Sequence, residues 1–314
     1  MRQSFEEFLE NPWCQIMRDD PSNKSIVSIG EALWDLFPDG ARFGGAPANF
    51  ACHAALLGCH VTMLSAVGKD AFGDEALGIL RGMGVEVSLV QRHESVSTGT
   101  VGVDVDKSGK PSFVIHADAA WDRLRWTPEF EAVVAEADAI YFGTLGQRSP
   151  ESRKAITQTL QIAKRNGVRR VLDVNLRAPF FDNTLIRESI AMATIVKLSD
   201  DEFQKVSEAC ELGELSDPME TLVALRQKFD LELVAMTRGA EGAVVVTRSE
   251  TIDQPGIPVN VCDTVGAGDA FTAAMVVGLC SGASVRSVVA NACRVASVVC
   301  GYAGAIPDPS IPPR

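Results

Sequence analysis

Short, continuously apolar runs alternate with segments of helical periodicity along most of this chain, and no other feature restricts the fold as much. The runs Ser25 to Gly30, Val61 to Val67, Ala139 to Gly143, Arg170 to Asn175 and Ile195 to Leu198 read as strands buried in a sheet core. Helices are predicted between them over Glu75 to Met83, Glu129 to Ala137, and Ser149 to Asn166 with Gly167 as its stop. Strand, loop and helix in repeated order need crossover connections, which implies a mostly parallel α/β sheet. With 314 residues, 46% of them apolar, the chain can bury one large core.

A second kind of strand interrupts the first. Val85 to Gln91 and Thr98 to Asp106 alternate apolar and polar residues, and Lys107-Ser108-Gly109-Lys110 reads as a turn into Ser112 to Ile115. Alternation means a sheet with one wet face. Residues 1–23 mix charges and aromatics without a period and are read as an extension ahead of a single domain over 24–314.

Charge and cysteine usage exclude several classes. The net charge of −12, with no basic run, argues against nucleic acid or an anionic membrane as partner. The eight cysteines lie mostly in apolar stretches and form no Cys-x-x-Cys pair, as expected of free thiols in a reducing compartment. No apolar run reaches the roughly 20 residues a membrane helix needs, and the start Met-Arg-Gln-Ser-Phe-Glu-Glu is too acidic for a targeting peptide. A cytoplasmic location is expected.

The stretch Asp263-Thr-Val-Gly-Ala-Gly-Asp-Ala-Phe271 carries chemistry. Gly266 and Gly268 read as a turn opening a helix through Phe271, Met275, Val276 and Leu279. The bare amides of such a first turn attract an anion, yet Asp269 puts a carboxylate there. It is either a helix-end acid or a general base beside an anion hole.

The nonapeptide closely resembles the C-terminal signature Asp-Thr-x-Gly-Ala-Gly-Asp-x-Phe of the ribokinase-like, or PfkB, carbohydrate kinases. Phe43-Gly44-Gly45-Ala46-Pro47-Ala48-Asn49 resembles their N-terminal signature Gly-Gly-x-x-x-Asn. The resemblance runs from about Ile26 to Pro307 and implies a three-layer α/β/α fold. It also implies a small antiparallel β lid, built from Leu33–Phe43 and Thr98–Ile115 and inserted at about 33–43 and 98–116. It gives Asp269 the role of base and Gly266, Ala267 and Gly268 that of the anion hole. Asp35, Gly44, Gly45 and Asn49 match positions that hold sugar hydroxyls, and Phe113 is expected in the sugar pocket. Asp173-Val-Asn175-Leu-Arg177 is similar to the family's Asp-x-Asn-x-Arg, with Arg177 neutralising the transferring phosphoryl group. If extended geometry persists, alternation puts Asp173, Asn175 and Arg177 on one side; a buried Arg–Asp pair is the plainer reading.

The remaining loops follow the family order. The resemblance places Asn175, Lys197, Thr237, Arg238, Gly239 and Gly242 on the nucleotide side, and Asn291 beside the adenine. Ser199-x-x-Glu202 reads as a capping box, while the resemblance gives Glu202 the magnesium water shell, with Ser199 standing where the family has Asn. Asp263, Val265, Val299, Tyr302, Gly304 and Asp308 match the positions of a potassium loop. The implied cofactors are ATP and Mg²⁺, with K⁺ as activator, and the lid implies a homodimer.

A sugar kinase acting on D-fructose is expected, because the glycine signature and Ala120-Trp121-Asp122 look most like fructokinases. 2-Keto-3-deoxygluconate, ribose and nucleosides are the competing acceptors. A nicotinamide oxidoreductase is disfavoured because no Gly-x-Gly-x-x-Gly follows the first strand. A non-catalytic sugar-binding regulator would tolerate loss of Asp269, Gly266, Gly268 or Arg177, all of which are present.

Overall fold

A computed structural model describes residues 23–105, 111–213 and 217–307, without the side chains of 104–113. Nearly all of the predicted extension falls outside these residues. The path begins with β1 (Ser25–Ile29), β2 (Leu33–Phe37), β3 (Gly40–Gly44) and α1 (Ala46–Leu56). It continues through β4 (His60–Leu64), β5 (Ala66–Gly68), α2 (Ala71–Gly82), β6 (Val85–Glu86), β7 (Gln91–His93), β8 (Gly99–Val105) and β9 (Pro111–Ile115). The predicted alternation then sets in: α3 (Pro128–Ala135), β10 (Ala139–Gly143), α4 (Pro150–Arg165), β11 (Arg169–Asp173), α5 (Asn183–Met192), β12 (Ile195–Ser199), α6 (Asp200–Ala209) and α7 (Pro218–Lys228). A meander of β13 (Leu233–Thr237), β14 (Ala243–Thr247) and β15 (Thr251–Gln254) leads to α8 (Ala267–Cys280) and α9 (Val285–Cys300).

Nine strands form the central sheet in the order β15-β14-β13-β12-β11-β10-β1-β4-β6. Pairing is parallel from β6 to β13, and β14 and β15 add an antiparallel edge. The continuous apolar strands feed two cores at once. Ile26, Tyr141, Val171 and Ile195 pack with α1, α8 and α9 on one face. Their neighbours Val27, Ile140, Leu172 and Val196 pack with α3 to α7 on the other. This is the ribokinase-like three-layer α/β/α arrangement.

After β1 the chain builds outward through β4 and β6, and from β10 it builds in the opposite direction. The switch point between β1 and β10 opens a crevice at the carboxyl ends of the strands, where such sheets bind ligands. Over it lies a four-stranded sheet in the order β3-β2-β8-β9. It consists of two antiparallel hairpins, β2–β3 and β8–β9, joined by a parallel contact between β2 and β8. Val85 to Gln91 does not join this lid. Val85 and Glu86 pair with β4 on the sheet edge, and β7 pairs with β5, so alternation there reflects an edge position.

Helix α8 is buried from Ala270 through Cys280, as its lack of a polar face requires. Gly278 lets α9 approach, since a Cβ at that position would lie 2.9 Å from the Val288 side chain. Among the described residues, no helix is long and apolar enough to cross a membrane.

Candidate active site

A cavity of about 490 Å³ lies between the lid and the switch point. Leu33, Asp35, Phe43 and Val101 form its lid wall, Glu31 and Leu145 its base, and Gly266, Gly268 and Asp269 its far side.

The far side is the start of α8. Gly266 is the N-cap in the left-handed region (φ 80), and a Cβ there would meet the Ala305 carbonyl at 2.3 Å. Glycine is therefore required twice over, by conformation and by space. The buried His53 Nε2 donates to the same Ala305 carbonyl (2.9 Å) and fixes the turn that packs on Gly266. Burial lowers the His53 pKa to about 4, so the ring is neutral. Gly268 and Asp269 follow in the first turn, where amide donors and the helix dipole favour negative charge.

Asp269 Oδ2 accepts a hydrogen bond from Asn49 Nδ2 (2.8 Å), across the gap between α8 and α1. Burial pushes the carboxyl up to about 7, with the Asp173 charge adding to it, while Asn49, Lys197 and Arg177 pull the other way. A carboxyl poised there exchanges protons near neutral pH, as a general base requires. Asn49 thus touches the acid of the C-terminal motif directly, a contact beyond the sugar role expected from its own motif.

Beneath the turn lies a buried ion pair, Lys197 Nζ to Asp173 Oδ1 at 3.2 Å. These residues are neighbours in the parallel β11–β12 register. Thr272 of α8 donates to Asp173 Oδ2 (3.2 Å), and a Cβ at Gly268 would stand 3.3 Å from Lys197 Nζ. Burial raises the Asp173 pKa against the pull of Lys197. Burial also works against the Lys197 charge, but the Asp173, Glu202 and Asp269 carboxylates outweigh it and hold its pKa above the usual value. The cation under the Gly266–Gly268 turn is therefore fixed by the sheet.

The Arg–Asp pair considered for Asp173 and Arg177 does not form, because Asp173 is taken by Lys197. Nor does extended geometry persist: the strand ends at Asp173, and Asn175 turns into the left-handed region (φ 38), which Asn tolerates. Asn175 and Arg177 nonetheless both reach the cavity wall, and Arg177 is exposed there. Glu202 accepts from the Ser199 amide (2.8 Å), completing that side of the capping box, and from the Leu176 amide (2.6 Å), which ties the 174–177 turn to α6.

On the lid side, Asp35 stands on β2, and burial pushes its carboxyl up to about 6, opposed by Arg177 and Arg42. Gly44 lets it lie flat, since a Cβ there would be 3.0 Å from Asp35 Oδ2. Gly45 has φ 105, with no room for a Cβ beside the Glu31 carbonyl at 2.7 Å. Phe113 pairs with Val103 in the lid register, and its side chain lies outside the described residues. Sequence reasoning missed Glu31, which is 2% exposed and forms part of the cavity wall. A lone acid among Ile29, Ala32 and Leu33 was the available signal.

Of the other predicted residues, those of the β13–β14 turn and α9 lie away from this cavity wall, whereas Asp263, Val265 and Gly304 form part of it. Thr237, Arg238, Gly239 and Gly242 form the β13–β14 turn, where Arg238 pairs with Asp253. Gly242 is needed structurally, because a Cβ would meet the Gln254 carbonyl at 2.1 Å. Asn291 accepts from Arg294 (2.7 Å) on α9. Asp263 draws two of the expected potassium-loop residues together, accepting from the amides of Val265 (3.0 Å) and Gly304 (2.9 Å). The Val299 carbonyl accepts from the Tyr302 amide (3.0 Å), and Asp308 lies outside the described residues.

A poised carboxylate beside a helix N-terminus and a fixed lysine, in a cavity roofed by a lid, is the arrangement that a phosphotransferase with a hydroxyl acceptor needs. The chain belongs to the pfkB family of carbohydrate kinases, whose profile matches residues 25–312. It is 28% identical to a fructokinase of Escherichia coli over 263 residues, covering 81% of this chain and 83% of that one. A putative sugar kinase of Pyrococcus horikoshii is 31% identical over 274 residues, covering 81% and 82%. The solved structure of the Pyrococcus horikoshii sugar kinase in complex with ATP matches with a TM-score of 0.76 at 29% identity, over 92% of this chain and 95% of that one.

Proposed function

We propose that this sugar kinase transfers the γ-phosphoryl group of ATP to a hydroxymethyl group of D-fructose. The observation that carries the reading is the Asp269 carboxyl, raised to about 7 and oriented by Asn49 in the first turn of α8, facing a cavity roofed by an acid-bearing lid. Asp269 takes the hydroxyl proton, the Gly266 to Gly268 turn and Arg177 spread the charge on the transferring group, and Asp35 holds sugar hydroxyls from above. The ATP complex of the Pyrococcus horikoshii relative supports the donor, and the Escherichia coli fructokinase supports the acceptor.

A neutral sugar suits the wall. Glu31, Asp35 and Asp269 face Arg42 and Arg177, and Arg42 is already paired with Asp39 (2.9 Å) and stacked on Phe37. An acidic sugar would have to draw Arg42 from Asp39 or compete for Arg177 with the transferring phosphoryl group.

A magnesium ion bound with ATP would neutralise phosphate charge and would need only one or two carboxylates besides the phosphates. No cluster of three metal-binding side chains exists among the described residues, which fits that mode. Glu202, with lone pairs left beyond its two amide contacts, is the residue proposed for the magnesium water shell. Asp263 and its loop are proposed for potassium. The nucleotide is proposed to lie along Asn175, Lys197 and the 237–242 turn, with Asn291 toward the base.

The test is ADP release from Mg-ATP with fructose, ribose, 2-keto-3-deoxygluconate and adenosine, with and without potassium. The highest kcat/KM is expected on fructose. A higher value on one of the others replaces the acceptor, and no turnover on any overturns the reading.

A further inference from the structure

Glu31 is a buried acid that the proposed chemistry leaves unused. It lies two residues after β1, at the switch point, and is one of the residues that line the cavity although only 2% exposed. Its backbone carbonyl packs against Gly45, and its Oε2 packs beside Gly146 in the loop after β10. Oε2 is buried with no hydrogen-bond partner among the described residues. An acid oxygen left this way forfeits the hydrogen bonds it would make in water, so an apolar residue would serve the fold better.

We propose that Glu31 is a second substrate-contacting acid, which binds a hydroxyl of the sugar from the sheet side while Asp35 binds from the lid. This rests on the sugar-kinase reading and extends it. The two acids come from opposite walls, one at the end of β1 and one in the middle of β2, so a polyol between them is held at both ends. A hydroxyl both donates and accepts, which satisfies Oε2 whether or not the acid is ionised. Burial pushes the Glu31 carboxyl up to about 7, against the pull of Arg177, so both forms are present near neutral pH. The sugar thus supplies the missing partner, and affinity for it gains what the empty pocket lacks.

A purely structural alternative exists in Arg148. Its Nη1 is also buried with no hydrogen-bond partner among the described residues, while its other nitrogens hold Asp122 (2.8 and 2.7 Å) and the His116 carbonyl (2.7 Å). A water shared between Glu31 and Arg148 would make Glu31 a scaffold residue with no effect on sugar affinity.

The experiment compares wild type, Glu31→Gln and Glu31→Ala with the sugar that the wild type phosphorylates, and with its monodeoxy analogues. In Glu31→Ala the sugar KM should rise roughly tenfold to a hundredfold, with the ATP KM unchanged and kcat little altered. One monodeoxy analogue should bind wild type and variant equally, which identifies the hydroxyl. Glu31→Gln, which keeps the shape, should fall between them and preserves the test if the alanine variant does not fold. An unchanged sugar KM in folded variants, or equal rises in both KM values, overturns the proposal while the kinase reading stands. A wild type that phosphorylates no sugar overturns both.

Discussion

Asp269→Asn should make the protein more stable while removing its turnover. Because the folded pKa is raised from 3.8 to about 7, the folded state holds a proton between those values that the unfolded state has released. Stability contributed by this group is therefore full below 3.8 and is lost as pH rises to 7. At pH 8 ionised Asp269 works against the fold by ~4 kcal/mol at most, and at pH 5 by less than ~2 kcal/mol. Water in the open cavity reduces both figures, and Asn49 can still donate to the new amide oxygen. The expected gain is about 2–3 kcal/mol at pH 8 and under about 1 kcal/mol at pH 5. Urea unfolding at both pH values measures it as a shift in midpoint at constant slope. Loss of the base should also lower kcat by ~10²–10⁴. A variant no more stable than wild type at pH 8, or one whose gain is the same at pH 5, would refute the account of a half-buried carboxyl whose ionisation burial disfavours.

Two further outcomes follow from the same geometry. Asp173→Ala strands the buried Lys197 charge and should cost ~3–5 kcal/mol in urea unfolding, whereas a loss below ~1 kcal/mol would mean Lys197 is solvated. Since Asp269 must be ionised to accept a proton, kcat/KM should fall about tenfold per pH unit below its pKa near 7; a profile flat from pH 5 to 8 would assign the proton elsewhere.

The sheet was legible because its strands are continuous apolar runs, and the helix over 149–166 because Ser149 opens it and Gly167 stops it. The α8 turn was equally local, with Gly266, Gly268 and Asp269 within four residues. What resisted reading was the set of contacts between distant segments. Asn49 and Asp269 meet across 220 positions, and Asp173 finds Lys197 only through the register of two parallel strands. Alternation failed at Asn175 because a single left-handed residue ends the extended path. At Val85 to Gln91 alternation did signal a wet face, but it could not say which sheet the segment joins, and Val85 and Glu86 pair on the edge of the main sheet. Glu31 was passed over because one acid in an apolar run says nothing about which cavity it walls.

The central claim is that Asp269 deprotonates a primary hydroxyl for phosphoryl transfer. It is tested most directly by ³¹P NMR of the products from Mg-ATP and D-fructose with wild type and Asp269→Asn. A phosphate ester on a hydroxymethyl carbon, formed by wild type and absent with the variant, is the predicted result. An ester on a secondary hydroxyl, free phosphate alone, or the same ester formed at wild-type rate by the variant would contradict it.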